Sequence, residues 1–232
     1  MYLQVILQRP LSRLVELFKE GKPKNCFRNF FNGLLLFRDR QRSHSGVIDM
    51  TTEIIFAGFG GQGVILAGKI LTLAGMSEDK FVSHIPSYGA EMRGGTANCS
   101  VIVSDEEVAS PVIENPDVVV ALNKPSMTKF EPLLKKGGLL IYNSSLIDIE
   151  PTRKDIRVLA LPCNEMAEET KNPRGANMVV LGCLAKVIPG MISGPKPFEF
   201  ALDEAISERN KKFNPINIAT IEAAFNKEYE IK

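Results

Sequence analysis

Two glycine-rich segments hold the residues best suited to chemistry. The first is Gly58-Phe59-Gly60-Gly61-Gln62-Gly63. A tight turn that needs positive φ favours glycine, and a missing Cβ lets backbone N–H groups approach a ligand or another chain. A helix starting there adds unpaired N–H donors and a partial positive charge, a seat for an anion. Gly58, Gly60 and Gly63 also satisfy G-x-G-x-x-G, the spacing of a dinucleotide-binding turn. The test of that motif is an acidic residue closing the second strand about 20 residues on. Here the strand is KFVSHI, which ends in Ser83, His84 and Ile85, with no acidic residue for a ribose and no Arg for a 2′-phosphate. Two readings stay open: an anion or partner contact, or glycines that only let strand and helix pack closely.

The second segment, Pro86-Ser87-Tyr88-Gly89-Ala90-Glu91-Met92-Arg93-Gly94-Gly95-Thr96, packs Tyr88, Glu91 and Arg93 into six residues. Such a loop commonly carries function. Arg93 beside Gly94 and Gly95 can clamp a phosphate or carboxylate, or pair with Glu91 and stiffen an interface. Smaller candidates surround these. His84 could move a proton, although a lone strand histidine is more often structural. Cys99 reads as a small core residue. Cys163 opens a helix, where the dipole lowers a thiol pKa. Asn143-Ser144-Ser145 closes a strand at the edge where ligands gather in α/β sheets, or makes a plain turn. Asn177 heads a helix, as its N-cap or as a buried tie to a neighbouring loop.

These residues need a frame, and the pattern from Thr51 onward supplies one. EIIFAG, KFVSHI, ANCSVIVS, DVVVAL, LLIYN and IRVLAL read as strands. Helices are expected over QGVILAGKILTLAGM, near SMTKFEPLLKK, and at NEMAEET, NMVVLGCLAKVI and FEFALDEAISERN. Asn214-Pro215 should N-cap a last helix, INIATIEAAFNKEY. ANCSVIVS and EEVASPV look like a hairpin turning at Ser104-Asp105. The alternation predicts a single-domain α/β fold: three αβα layers around a mixed, mostly parallel sheet of Rossmann-like topology. Strands joined by one right-handed crossover helix are usually neighbours. Both glycine segments should then leave the same carboxyl edge side by side, with Arg93 near the first helix.

Residues 1–49 stand apart. They hold nine basic and four acidic side chains, whereas the whole chain of 232 residues is near neutral at net +1. A basic membrane-surface helix and a cleaved secretory signal both fit 1–49 poorly, because the apolar stretches are short and Pro10 and Gly33 interrupt them. The favoured reading is a basic extension outside the fold, with translation starting upstream of a true start at Met50. The domain is then 50–232.

Composition narrows the function. Near-neutral charge excludes nucleic-acid affinity through overall charge, and no apolar run approaches the ~20 residues that span a bilayer. Cys26, Cys99, Cys163 and Cys183 stand far apart without a CxxC, so this chain is expected to bind no iron–sulfur cluster or metal alone. A disulfide framework is equally unexpected, which fits a reducing cytoplasm.

Four stretches in order, GFGGQGVILAGKIL, PSYGAEMRGGTANCSVIVSDEEVASPVI, DVVVALNKPS and GGLLIYNSSLI, resemble the gamma subunit of the 2-oxoacid:ferredoxin oxidoreductases over roughly residues 52–228. The PSYGxEMRGGTANC form is most similar to the 2-oxoglutarate-specific branch. The resemblance implies a complex that decarboxylates a 2-oxoacid oxidatively with coenzyme A, giving acyl-CoA, CO2 and reduced ferredoxin. It implies thiamine diphosphate, Mg2+, iron–sulfur clusters and coenzyme A in that complex, and alpha, beta and, in some members, a ferredoxin-like delta subunit as partners. Gamma itself would act in assembly, or also line the coenzyme A path through Gly60–Gly63 and Arg93. An independent nucleotide-binding α/β protein is the alternative.

Overall fold

The computed structural model describes residues 50–88 and 96–232. The expectations for 1–49, Glu91, Arg93, Gly94 and Gly95 lie outside the described residues. The chain runs β1 (Thr51–Phe59), α1 (Val64–Ser77), β2 (Phe81–Tyr88), β3 (Thr96–Ser104), β4 (Val118–Ala121), α2 (Lys124–Phe130), β5 (Leu139–Asn143) and β6 (Arg157–Leu161). Helices α3 (Cys163–Glu169), α4 (Ala176–Val187), α5 (Pro197–Ala205) and α6 (Asn214–Phe225) follow.

The six strands form one sheet in the order β2-β3-β1-β4-β5-β6. β1, β4, β5 and β6 are parallel, and β3 runs antiparallel to both β2 and β1. The expected fold class is therefore observed, but the hairpin differs. β3 pairs with β2 from Phe81↔Ser104 to Tyr88↔Ala97, and EEVASPV forms no strand. Glu106, Glu107 and Pro111 break the apolar alternation and remove a ladder donor, whereas β2 offers a full-length partner. Pro86 is tolerated within β2 because that strand is the sheet edge.

Alternate residues of the strands feed two cores. On one face Ile54, Phe56, Val101 and Val120 pack with α1, α3, α4, α5 and α6. On the other, Ile55, Ala57, Val119, Ala121 and Leu140 pack with Met127 and Phe130 of α2, Leu134, and Ile147 and Ile156 of the β5–β6 connection. β4 and β5 are buried on both faces, which is why they read as unbroken apolar runs. Buried Glu131 fastens the β5–β6 connection beneath α2: its Oε1 accepts from Thr152 N (2.6 Å), Thr152 Oγ1 (2.9 Å) and Arg153 N (2.7 Å).

The last helix starts differently from expectation. Asn214 already has helical φ, because a 3-10 segment (Glu208–Phe213) leads straight into α6, so it is not the N-cap. Pro215 occupies the first turn as its fixed φ allows.

Candidate functional site

The Gly58–Gly63 segment is the turn between β1 and α1. Gly61 and Gly63 have positive φ (102° and 73°), which only glycine adopts without strain. A Cβ on Gly58 would lie 2.7 Å from Val64 Cγ2 and 3.2 Å from Leu122 Cβ, so close packing also demands glycine. The first helical bond of α1 is Ala67 N to Gly63 O at 2.8 Å, so the amides of Val64, Ile65 and Leu66 precede it. Behind the turn, buried Asn177 donates from Nδ2 to Gly63 O at 3.3 Å. Asn177 is thus the buried tie; Gly175 is the N-cap of α4. Gly60 and Gly61 stay exposed.

In an open α/β sheet, ligands enter where adjacent parallel strands send their connections to opposite faces. β1 leads to α1 on one face and its neighbour β4 leads to α2 on the other. The side chain of Gln62 lies across that crevice. Its Oε1 accepts from Phe59 N (2.7 Å) and Asn123 Nδ2 (3.3 Å), and its Nε2 donates to Leu122 O (3.1 Å). Only one amide orientation satisfies this set, since Phe59 N–H can only donate and the Leu122 carbonyl can only accept. Asn123 also N-caps α2 by accepting from Ser126 N at 2.8 Å.

A second crevice lies between β5, whose connection crosses the α2 face, and β6, which leads to α3 on the other face. Asn143, 1% exposed, closes it. Its Oδ1 accepts from Ser145 N and Cys163 N, both at 3.2 Å, and its Nδ2 donates to Asn164 Oδ1 at 3.1 Å. Asn164 N donates to Ser145 Oγ at 3.0 Å, and that hydroxyl also bonds Glu165, which holds the Glu165 carboxyl below its ordinary range. The structure thus uses Asn143 as an internal clasp.

The strand ends that flank the second glycine segment lie at the same edge as the first turn. β1 and β2 point the same way with β3 between them, and Tyr88, Ala97 and Gly58 stand in one row across the three strands. The expectation of adjacent parallel strands is corrected: β3 returns between them because its Cys99, Val101 and Val103 cover α1. Phe59 faces Thr96 across the β1–β3 ladder, so β3 begins beside the first turn, while Tyr88 ends β2 on the far side of β3.

The remaining candidates are buried. His84 lies mid-strand at 4% exposure, beside Gly68, and its pKa falls to about 4 through burial first and the Lys69 charge second. Proton transfer at neutral pH does not suit it. Cys99 is a core residue, as expected, with its thiol pushed up by burial. Cys163 is fully buried at the start of α3. Desolvation there outweighs the helix dipole and raises its pKa, which corrects the expectation of reactivity. Burial also pushes Cys183 up to about 12. Among the described residues, no three His, Cys, Asp or Glu gather as a metal site, and no helix is long and apolar enough to cross a membrane. The three described cysteines, neutral and buried, do not fit as cluster ligands.

Asn123 is the residue sequence reasoning passed over. Its signal was the position: an Asn directly after an apolar strand, with Pro125 two residues on, marks a helix N-cap.

The sequence matches the family described as Pyruvate ferredoxin/flavodoxin oxidoreductase over residues 53–227. Ketoisovalerate oxidoreductase subunit VorA of Methanothermobacter marburgensis is 37% identical over 172 residues, 74% of this chain and 35% of that protein. The chain therefore spans about a third of that relative's length. The 2-oxoglutarate synthase subunit KorC of Methanocaldococcus jannaschii is 32% identical over 187 residues, 79% of this chain and 95% of the relative. Among solved structures, the keto/oxoacid ferredoxin oxidoreductase gamma subunit from Geobacter sulfurreducens PCA is similar, with a TM-score of 0.64 at 28% identity. The likeness covers 77% of this chain and 96% of that one.

Proposed function

This chain belongs to the pyruvate ferredoxin/flavodoxin oxidoreductase family, and on that premise we propose that it serves as the gamma subunit of a multisubunit 2-oxoacid:ferredoxin oxidoreductase. The assembly takes a 2-oxoacid and coenzyme A to acyl-CoA and CO2, with electrons passed to ferredoxin. Thiamine diphosphate with Mg2+ and iron–sulfur clusters, held by alpha, beta and any delta partner, supply the decarboxylation and the electron transfer. We assign 2-oxoglutarate as the substrate, following the KorC relative that this chain spans almost completely. The assembly works in the cytoplasm, in keeping with described cysteines that are all free thiols.

The chain's own part is to dock on its partners and to border the coenzyme A path. The observation that carries this reading is the exposed Gly60–Gly61 turn, backed by Gln62 and Asn177, at the edge where β2 ends at Tyr88 and β3 begins at Thr96. Such a turn presents backbone donors to the phosphates of coenzyme A or to a partner carboxylate.

The test is reconstitution of the chain with the alpha and beta subunits from its own genome. The complex should reduce ferredoxin with 2-oxoglutarate and coenzyme A, faster than with pyruvate or a branched-chain 2-oxoacid. Preference for the branched-chain acid would move the substrate assignment toward the VorA relative. Turnover by the homogeneous chain alone, or a chain that binds neither partner, would overturn the subunit reading.

A further inference from the structure

The sealed β1–β4 crevice has a consequence for how the edge works. A ligand that used this switch point as nucleotides commonly do would have to displace the Gln62 amide from Phe59 N, Asn123 Nδ2 and Leu122 O. Those three groups belong to the end of β1, the cap of α2 and the end of β4. Gln62 therefore ties the turn to two further elements, while Gly60 and Gly61 project outward. Gly61, at φ 102°, has nothing within 4 Å of the position its Cβ would take; among the described residues the tip is held by the Gln62 N to Phe59 O turn bond at 3.1 Å, by this side chain and by Asn177 behind it.

We propose that Gln62 is a positioning residue: its amide closes the crevice and holds the Gly60–Gly61 tip outward, so that coenzyme A meets the outer surface of the turn and does not enter the sheet. This rests on the gamma-subunit reading above. A pre-set tip binds an anion without first losing its own conformational freedom, so releasing it weakens coenzyme A binding and leaves the chemical step alone. The side chain also separates this site from a dinucleotide fold that shares its glycine spacing, because the crevice that would take a pyrophosphate is filled by protein.

The experiment uses the full chain in its assembled complex. Gln62→Met keeps the length of the side chain and removes all three hydrogen bonds. Asn123→Ser keeps a residue type that caps α2 and removes only the bond to Gln62. Gln62→Met should raise KM for coenzyme A about 10-fold, with kcat within about 2-fold and KM for the 2-oxoacid unchanged. Asn123→Ser should shift the same constant in the same direction by a smaller factor. In the chain alone, hydrogen exchange at the Phe59 amide should become at least ~10-fold faster in Gln62→Met, with the β4 amides of Val119 and Val120 unchanged. An active complex in which KM for coenzyme A does not move, or moves together with KM for the 2-oxoacid, overturns the positioning role and leaves the subunit reading standing. Undiminished protection at Phe59 overturns it from the structural side. A wild-type complex without 2-oxoacid turnover defeats the subunit reading and this inference together.

Discussion

Two crevices at the carboxyl edge are closed by the same functional group in different settings. At β5–β6 the Asn143 amide is almost completely buried and bonds the amides of Ser145 and Cys163 together with Asn164. At β1–β4 the Gln62 amide belongs to a turn with an exposed tip, is half-buried, and reaches out to neighbouring elements. Removing a partner in a buried site leaves donors that water cannot reach, whereas water can replace much of what is lost at a half-buried one. The comparison teaches that a shared chemistry divides by burial: Asn143 serves folding and Gln62 serves placement.

The largest effect should come from Asn143→Leu, which keeps volume and strands the amides of Ser145 and Cys163. About 3 kcal/mol of stability should be lost, read as a fall of ~6–12 °C in Tm for a domain of this size. A loss under about 1 kcal/mol would show that the buried clasp is no more structural than the half-buried one, and the comparison would break.

His84 offers a control of nearly the same size, on β2 at the opposite edge of the sheet from the Asn143 clasp. Its folded pKa is lowered to about 4 from an ordinary value of 6.5, so the unfolded chain takes up a proton first as pH falls. The stability is present above about pH 6.5 and is lost progressively down to about pH 4, by about 3 kcal/mol at most. Denaturant titrations across that range should show the loss, and His84→Gln should flatten it. The loss should add to that of Asn143→Leu; strong non-additivity would mean that the hairpin and the β5–β6 edge are coupled.

Gly63→Ala should cost about 2 kcal/mol, from positive φ and from contact with Asn177. Adding Asn177→Ala should recover the steric share and leave the backbone share, which chemical denaturation of the single and double variants would separate. The smallest change belongs to Gln62→Met, at about 1 kcal/mol or less in the same assay. If it matched Asn143→Leu, the turn clasp would be a folding element and the division by burial would fail.

Much of this fold was legible because its signals are local. Apolar runs such as DVVVAL and LLIYN become strands buried on both faces, and the glycines of GFGGQG mark the turn before α1. The hairpin partner of β3 was not legible, since two candidate strands flanked it and the choice depended on a pairing of eight residues across the sheet. The start of α6 was obscured because a 3-10 segment brings Asn214 into helical geometry before any cap is needed. Cys163 misled for a related reason: its helix position is local, but the desolvation that overrides the dipole comes from α4 and the sheet packed around it.

The sequence by itself determined the α/β class, the glycine turn and the family, because each follows from residue type at fixed spacing along the chain. Only the tertiary structure decided that β3 returns between β1 and β2, and that Gln62 and Asn143 seal the crevices their strands open. Those outcomes rest on hydrogen bonds between groups about 20 to 60 positions apart, such as Gln62 to Leu122 and Asn143 to Cys163. No periodicity encodes which distant amide a side chain will meet; packing the helices on opposite faces of the sheet does.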